Sequence, residues 1–144
     1  MIQAKNVALP PISATSRLLL VVFLSLIAVV PALSHARVHP IENVTGSTIP
    51  PGLDAAKVEK AIILGGMQHG WLSTKVADGH LQATITLRKH SATVDTQWDQ
   101  SSYLITYKDS QNLKFKDGKI HGNYNVWVRN LNLDVQRSLA QQAL

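Results

Sequence analysis

The stretch "LSTKVADGHLQATITLRKHSATVDTQWDQSSYLITYK", Leu72 to Lys108, decides the fold, because three turns inside it set three strand registers that can be checked against one another. Asp78-Gly79 is a two-residue hairpin turn, which pairs Ala77 with His80, Val76 with Leu81 and Leu72 with Ile85. A turn at His90-Ser91 pairs Leu87 with Val94 and Ile85 with Thr96. A third at Gln100-Ser101 pairs Trp98 with Tyr103, Thr96 with Ile105 and Val94 with Tyr107. Side chains alternate along a strand and paired residues share a face. One face then collects Leu72, Val76, Leu81, Ala83, Ile85, Leu87, Ala92, Val94, Trp98, Tyr103, Ile105 and Tyr107. The other carries Lys75, Gln82, Thr84, Thr86, Arg88, Thr93, Asp95, Gln97, Thr106 and Lys108. A slip of one residue in any hairpin destroys this sorting.

The apolar face needs a cover, and the flanking segments supply it. Asp54 is an N-cap for a helix over "AAKVEKAIILGGMQHG", with Val58, Ala61, Ile62 and Met67 on its inner face and a stop at Gly70. Gly65 and Gly66 each weaken that helix by about 1 kcal/mol relative to alanine, so packing must hold it. Tyr124, Trp127, Val128, Leu131, Val135 and Leu139 recur at helical spacing in the C-terminal segment. A short hairpin with Leu113 and Phe115 on one arm, turned at Asp117-Gly118, links the last strand to that helix. The expected architecture is α+β, in the order α-β-β-β-β-α: a four-stranded antiparallel meander with two helices packed on one face and the other face open to solvent. Its edges are the first and fourth strands, with Lys75 and Lys108 as mild protection against edge pairing.

Upstream, "RLLLVVFLSLIAVVPALSHA" places an apolar core, Leu18 to Leu33, between the basic flank of Lys5 and Arg17 and the small-residue site Ser34-His35-Ala36. Residues 1–36 read as a secretory signal peptide, with the mature chain beginning at Arg37. The core is shorter than the roughly 20 residues of a full membrane span. The other reading of this segment is an uncut anchor. Residues 37–53, with Pro40, Pro50 and Pro51 and no periodicity, form an extended, mobile leader, and residues 54–144 a single domain. The mature part holds twelve Lys or Arg against nine Asp or Glu, too mild an excess for nucleic-acid binding. Absence of cysteine excludes disulfides, thiolate metal sites and a cysteine nucleophile.

In the expected meander the second and fourth strands end at the same edge, where the last helix begins. Arg88, His90, Lys108, Ser110, Asn112, His121, Asn123 and Asn125 converge there. A helix N-terminus with spare N–H donors, an arginine and two histidines suits an anion or a carboxylate. The same residues also suit plain structural work. Asn112 and Asn123 can close turns or cap backbone N–H groups, His121 can seat a helix start, and Arg88 and Lys108 can be solvated charges.

"HGW" at 69–71, "LRKH" at 87–90, "SYLITYKDSQNL" at 102–113 and "IHGNYNVWVRNL" at 120–131 resemble a family of small exported proteins and lipoproteins of Gram-negative bacteria. The resemblance covers about residues 54–137, and its most specific piece is the I-H-x-N-Y-N-x-W-V run. It implies a periplasmic α+β module and no mechanism. The lipoprotein members carry an acylated cysteine that this chain lacks, so the resemblance does not extend to membrane tethering.

The functional expectation is a non-enzymatic binding or interaction module of the cell envelope, needing no cofactor, whose partner is an envelope protein or a small anionic ligand. One alternative is a small hydrolase using Ser110 with His121 or His90 and Asp109. It lacks the glycines of a nucleophile elbow, and Asp109, next to Ser110 in sequence, is poorly placed to orient a histidine. Another is a weak metal site. The mature histidines are His39, His69, His80, His90 and His121, of which only His90 and His121 share an end, and two ligands are too few for a closed tetrahedral centre.

Overall fold

The computed structural model describes residues 37–144; the expected signal segment lies outside the described residues. Seven strands and two helices follow in the order β1 (Val38–Pro40), β2 (Val44–Thr48), α1 (Ala55–Met67), β3 (Leu72–Ala77), β4 (His80–Leu87), β5 (His90–Trp98), β6 (Ser102–Gln111), β7 (Lys119–His121) and α2 (Gly122–Gln142). The fold is mixed α+β. Strands β2 to β6 form a five-stranded antiparallel sheet in the order β2-β6-β5-β4-β3, while β1 pairs with β7 in a separate two-stranded ladder.

The expected sheet is one strand short, and the missing strand comes from the supposed leader. Val44 pairs with Ile105 and Ser47 with Tyr103, Ile49 N donates to Ser101 O at 2.8 Å, and the Ile49 side chain is buried. Residues 37–53 are therefore built into the fold, because β6 would otherwise leave a ladder of backbone donors and acceptors unpaired. The sheet edges are β2 and β3, and Lys108 lies on an inner strand.

The three registers fare differently. Between β5 and β6 the expected pairs Trp98 with Tyr103, Thr96 with Ile105 and Val94 with Tyr107 are all present, with an irregularity beyond Val94 that leaves Lys108 unpaired. Between β3 and β4 the turn pairs Ala77 with His80 as expected, but a bulge then sets Lys75, not Val76, opposite Leu81, and Leu72 opposite Thr84. Leu72 and Val76 consequently leave the core and are 73% and 51% exposed. Between β4 and β5 the turn is Arg88-Lys89, so Leu87 meets His90 and Ile85 meets Ala92. This register pairs all eight residues of β4. It holds Arg88 at φ 57°, a left-handed conformation that costs a non-glycine residue about 1 kcal/mol. It differs from the expected one by an even number of residues, so the faces keep their sorting.

Leu81, Ala83, Ile85, Ala92, Val94, Tyr103 and Ile105 are buried on one sheet face, in one cluster with Val58, Ala61 and Ile62 of α1 and Tyr124, Val128, Leu131, Val135 and Leu139 of α2. Leu87 is half exposed at the strand end, Trp98, Tyr107 and Trp127 are only partly buried, and Met67 points away from the core. Asp54 caps α1 by accepting from Lys57 N at 2.8 Å. The two glycines of α1 are buried, and a Cβ on Gly65 would lie 2.7 Å from the Val135 backbone. Gly65 thus lowers the helix's own propensity and permits its closest approach to α2. His69, just past α1, bonds Asp134 of α2, which also holds Arg137 at 3.0 Å. The link from β6 to α2 turns at Asp117 and Gly118, both at positive φ, and buries Leu113 while leaving Phe115 half exposed.

Candidate functional site

The β4–β5 turn is tied to the end of β6 by two crossed hydrogen bonds. His90 Nδ1 lies 2.9 Å from Asn112 O, and Asn112 Nδ2 donates to Lys89 O at 2.5 Å. A carbonyl only accepts, so His90 Nδ1 carries the proton and Nε2 is left for another partner. Asn112 manages this by adopting φ 57°, which asparagine tolerates better than most residues. A hollow of about 440 Å³ opens beside this tie, lined by Thr84, Thr86, Arg88, Lys89, His90, Ser91, Thr93, Asp109, Ser110 and Gln111. Two cationic side chains, one imidazole and several hydroxyls thus face one carboxylate, that of Asp109. Ser110 Oγ also bonds the Tyr107 hydroxyl at 3.0 Å.

Of the residues expected to converge, Arg88, His90 and Ser110 line this hollow and Asn112 braces it. Lys108 stands apart, reaching Asp95 at 3.4 Å, and Asp95 also bonds His80 Nε2 at 2.7 Å. Burial pushes the Asp95 carboxyl up, but the hydrogen bonds from His80 and Gln82 and the Lys108 ammonium outweigh it and hold the group below its ordinary range. His121 is the N-cap of α2, its Nδ1 accepting from Asn123 N at 3.2 Å. Asn125 is buried, at 3% exposure. Its Oδ1 accepts from Glu42 N at 3.2 Å and its Nδ2 donates to Pro40 O at 2.9 Å, so it clamps the segment between β1 and β2 and does not reach the hollow. The answer for "HGNYN" is a helix start and a clamp.

Ser110 has no histidine among its hydrogen-bond partners; His90 and His121 are each engaged with backbone elsewhere. Among the described residues no group of three or more His, Cys, Asp or Glu side chains is placed to hold a metal ion, and no helix is long and apolar enough to cross a membrane. Two larger hollows, of about 590 and 570 Å³, flank Trp98 at the other end of the sheet. They contain none of the residues of the expected cluster.

Several polar contacts escaped the sequence. The Asn132 side chain accepts from the Tyr103 hydroxyl at 2.6 Å and from Ser47 Oγ at 3.2 Å. Arg129 donates to both oxygens of Glu42 at 2.6 and 2.7 Å. Within the hollow, the hydroxyls of Thr84 and Thr93 bond one another at 2.9 Å. The buried Tyr124 hydroxyl has no partner among the described residues, and burial raises its phenol well above the ordinary range. No protein-family model matches the chain, and comparison with curated proteins and with solved structures gives no match.

Proposed function

We propose that this chain is a non-catalytic binding module exported to the periplasm, and that the hollow at the β4–β5 turn takes a small anion or an anionic group of an envelope component. In this reading both helices cover one face of the meander and leave the other, threonine-rich face open for contact. The apolar core and small-residue site of residues 1–36 support export. The resemblance of the I-H-x-N-Y-N-x-W-V run supports the same compartment.

The observation that carries the ligand reading is the crossed tie between Asn112 and the Lys89-His90 segment. It fixes the His90 imidazole and the backbone that carries Arg88 and Lys89 at one rim before any ligand arrives, which reduces the ordering cost of binding. Arginine supplies a planar donor pair for carboxylate or phosphate, and the surrounding hydroxyls can donate to the remaining oxygens.

Amide chemical shifts of residues 37–144 followed during titration with inorganic phosphate, and separately with a carboxylate-bearing muropeptide, test this. One of the two should move Thr93, His90 and Ser110 together. Arg88→Gly should abolish the response while the melting temperature stays level or rises, because glycine relieves the left-handed backbone as it removes the charge. Silence toward both probes at millimolar concentration would refute the reading. N-terminal sequencing of the exported form should give Arg37-Val38-His39; a chain kept in the membrane fraction with Met1 intact would replace export by anchoring.

A further inference from the structure

The domain's positive charge is gathered at one end. Arg37, Arg88, Lys89, Lys114, Lys116 and Lys119 belong to the β4–β5 turn, the β6–β7 link and the chain entering β1, with Asp117 in the link and Asp109 near the end of β6 as the acids beside them. The rest of residues 37–144 holds six cations and seven acids, so the entire positive excess lies here. Hydrogen bonds bring these segments together. Asn112 binds Lys89 O, His121 N donates to Leu113 O at 2.8 Å, Lys116 and Lys119 exchange backbone bonds at 2.9 Å, and Gly122 N donates to Arg37 O at 3.2 Å.

The small ladders also settle which way the side chains face. Lys119 pairs with Pro40 and His121 with Val38, while Ile120 between them is fully buried. Alternation then turns Lys119 and Val38 outward, with Lys116 beside Lys119 on the same face. All six cations are exposed, and none forms an ion pair among the described residues. Phe115, Leu87 and Val38 are exposed among them. The Phe115 ring leans on Tyr107 with centroids 4.5 Å apart, so its outer edge is presented without further ordering.

We infer that this end is a docking surface for a bilayer that carries anionic phosphate headgroups. The occupant is fixed by where the chain comes from: the apolar run ends at Leu33, four residues before Arg37, a distance of at most about 14 Å along an extended chain. Arg37, the first described residue after that run, belongs to this end through the bond from Gly122 N to its carbonyl. Clusters of about four to eight Lys or Arg beside an apolar segment meet anionic lipid through their charges, and an aromatic ring among them sits at the headgroup level. The surface shares Arg88 and Lys89 with the hollow, while Lys114, Lys116, Lys119 and Phe115 lie outside its lining.

Residues 37–144, which contain both sheets and the whole core, should cosediment with mixed phosphatidylcholine and phosphatidylglycerol vesicles and not with phosphatidylcholine alone. Raising salt from about 0.1 M to about 1 M shortens the screening length from about 10 Å to about 3 Å and should release the protein. Each cation removed should weaken partition about five-fold, so Lys114→Ala with Lys116→Ala should lower it roughly 25-fold. Phe115→Trp should show a blue-shifted emission on binding. The shifts that phosphate or the muropeptide induces in the hollow should survive the double lysine change, which keeps the two readings separable. Absence of partition, equal partition onto uncharged vesicles, or an equal loss from Lys57→Ala with Lys60→Ala on exposed α1 would overturn the inference.

Discussion

Replacing Gly65 by alanine should weaken the domain, while the same change one residue later should not. Both glycines lie inside α1, where alanine is favoured by about 1 kcal/mol on propensity alone. At Gly65 the new methyl carbon falls 2.7 Å from Val135 Cα and N and 2.9 Å from the Asp134 carbonyl carbon. These are backbone atoms of a packed helix, which cannot rotate aside. Ordinary contact begins near 3.4 Å, so α1 and α2 must part by about 0.7 Å, loosening the contacts of Leu131 and Val135 as they do. Overpacking costs about 1–3 kcal/mol, and a backbone obstruction belongs to the upper part of that range. After the propensity gain the net loss is about 1–2 kcal/mol, which lowers Tm by about 5–15 °C in a domain of this size. At Gly66 the nearest atoms are Trp71 Cβ at 3.4 Å and Leu131 Cδ1 at 3.6 Å, which is contact without overlap. Gly66→Ala should therefore be neutral or stabilising by up to about 1 kcal/mol. Equilibrium urea unfolding of both variants with unchanged m-values measures the difference. A Gly65→Ala protein as stable as its parent would mean that the helices do not meet where the structure places them.

Asn125→Ala should cost about 1–3 kcal/mol by stranding Glu42 N and Pro40 O, and hydrogen exchange at Glu42 should quicken while exchange in β4 and β5 follows only the global loss. Ile105→Ala removes a fully buried side chain and should cost about 2–5 kcal/mol; a loss of unfolding free energy below about 1 kcal/mol in urea would contradict its central position between β2 and β5. The Asp95 carboxyl has a folded pKa below its ordinary 3.8, so its ionised form stabilises the fold above about pH 4 and that contribution is lost as pH falls through the folded value. In Asp95→Asn the fall of the urea midpoint between about pH 5 and pH 2 should be shallower than in the parent; an unchanged slope would remove Asp95 from the acid response.

The legible parts of the fold were those written in local chemistry. Asp78-Gly79 and Asp117-Gly118 announce turns because glycine accepts positive φ, and Asp99 closes its turn by accepting from Ser101 N and Ser102 N. The Arg88-Lys89 turn carries no such residue, so only the apolar pattern marks it, and that pattern is unchanged by a shift of even length. The bulge before Ala77 leaves no mark in composition, which is why Leu72 and Val76 read as core. β1 and β2 are short, flanked by prolines, and find their partners far along the chain. Nothing local to Val44 points to Ile105. For the site, the ends of β4 and β6 were brought together by topology alone, which placed Arg88, His90, Ser110 and Asn112 in one neighbourhood. Asn125 serves Pro40 and Glu42, a role that no periodic signal carries.

The pairing of β2 with β6 also sets a clock on the growing polypeptide. Synthesis proceeds from the N-terminus at about 5–20 residues per second, and Ile105 follows Val44 by about sixty residues. Val44 and Ile49 therefore emerge seconds before the strand that will cover them, and α2, whose Leu131, Val135 and Leu139 close the core, comes last of all. A nascent chain halted before Ser102 would contain three adjacent strands and one helix with their apolar side bare. A partial product that stops short of β6 and α2 cannot cover its own apolar face, so the core closes only once Leu139 is in place, and until then a chaperone has an extended, unpaired segment to hold.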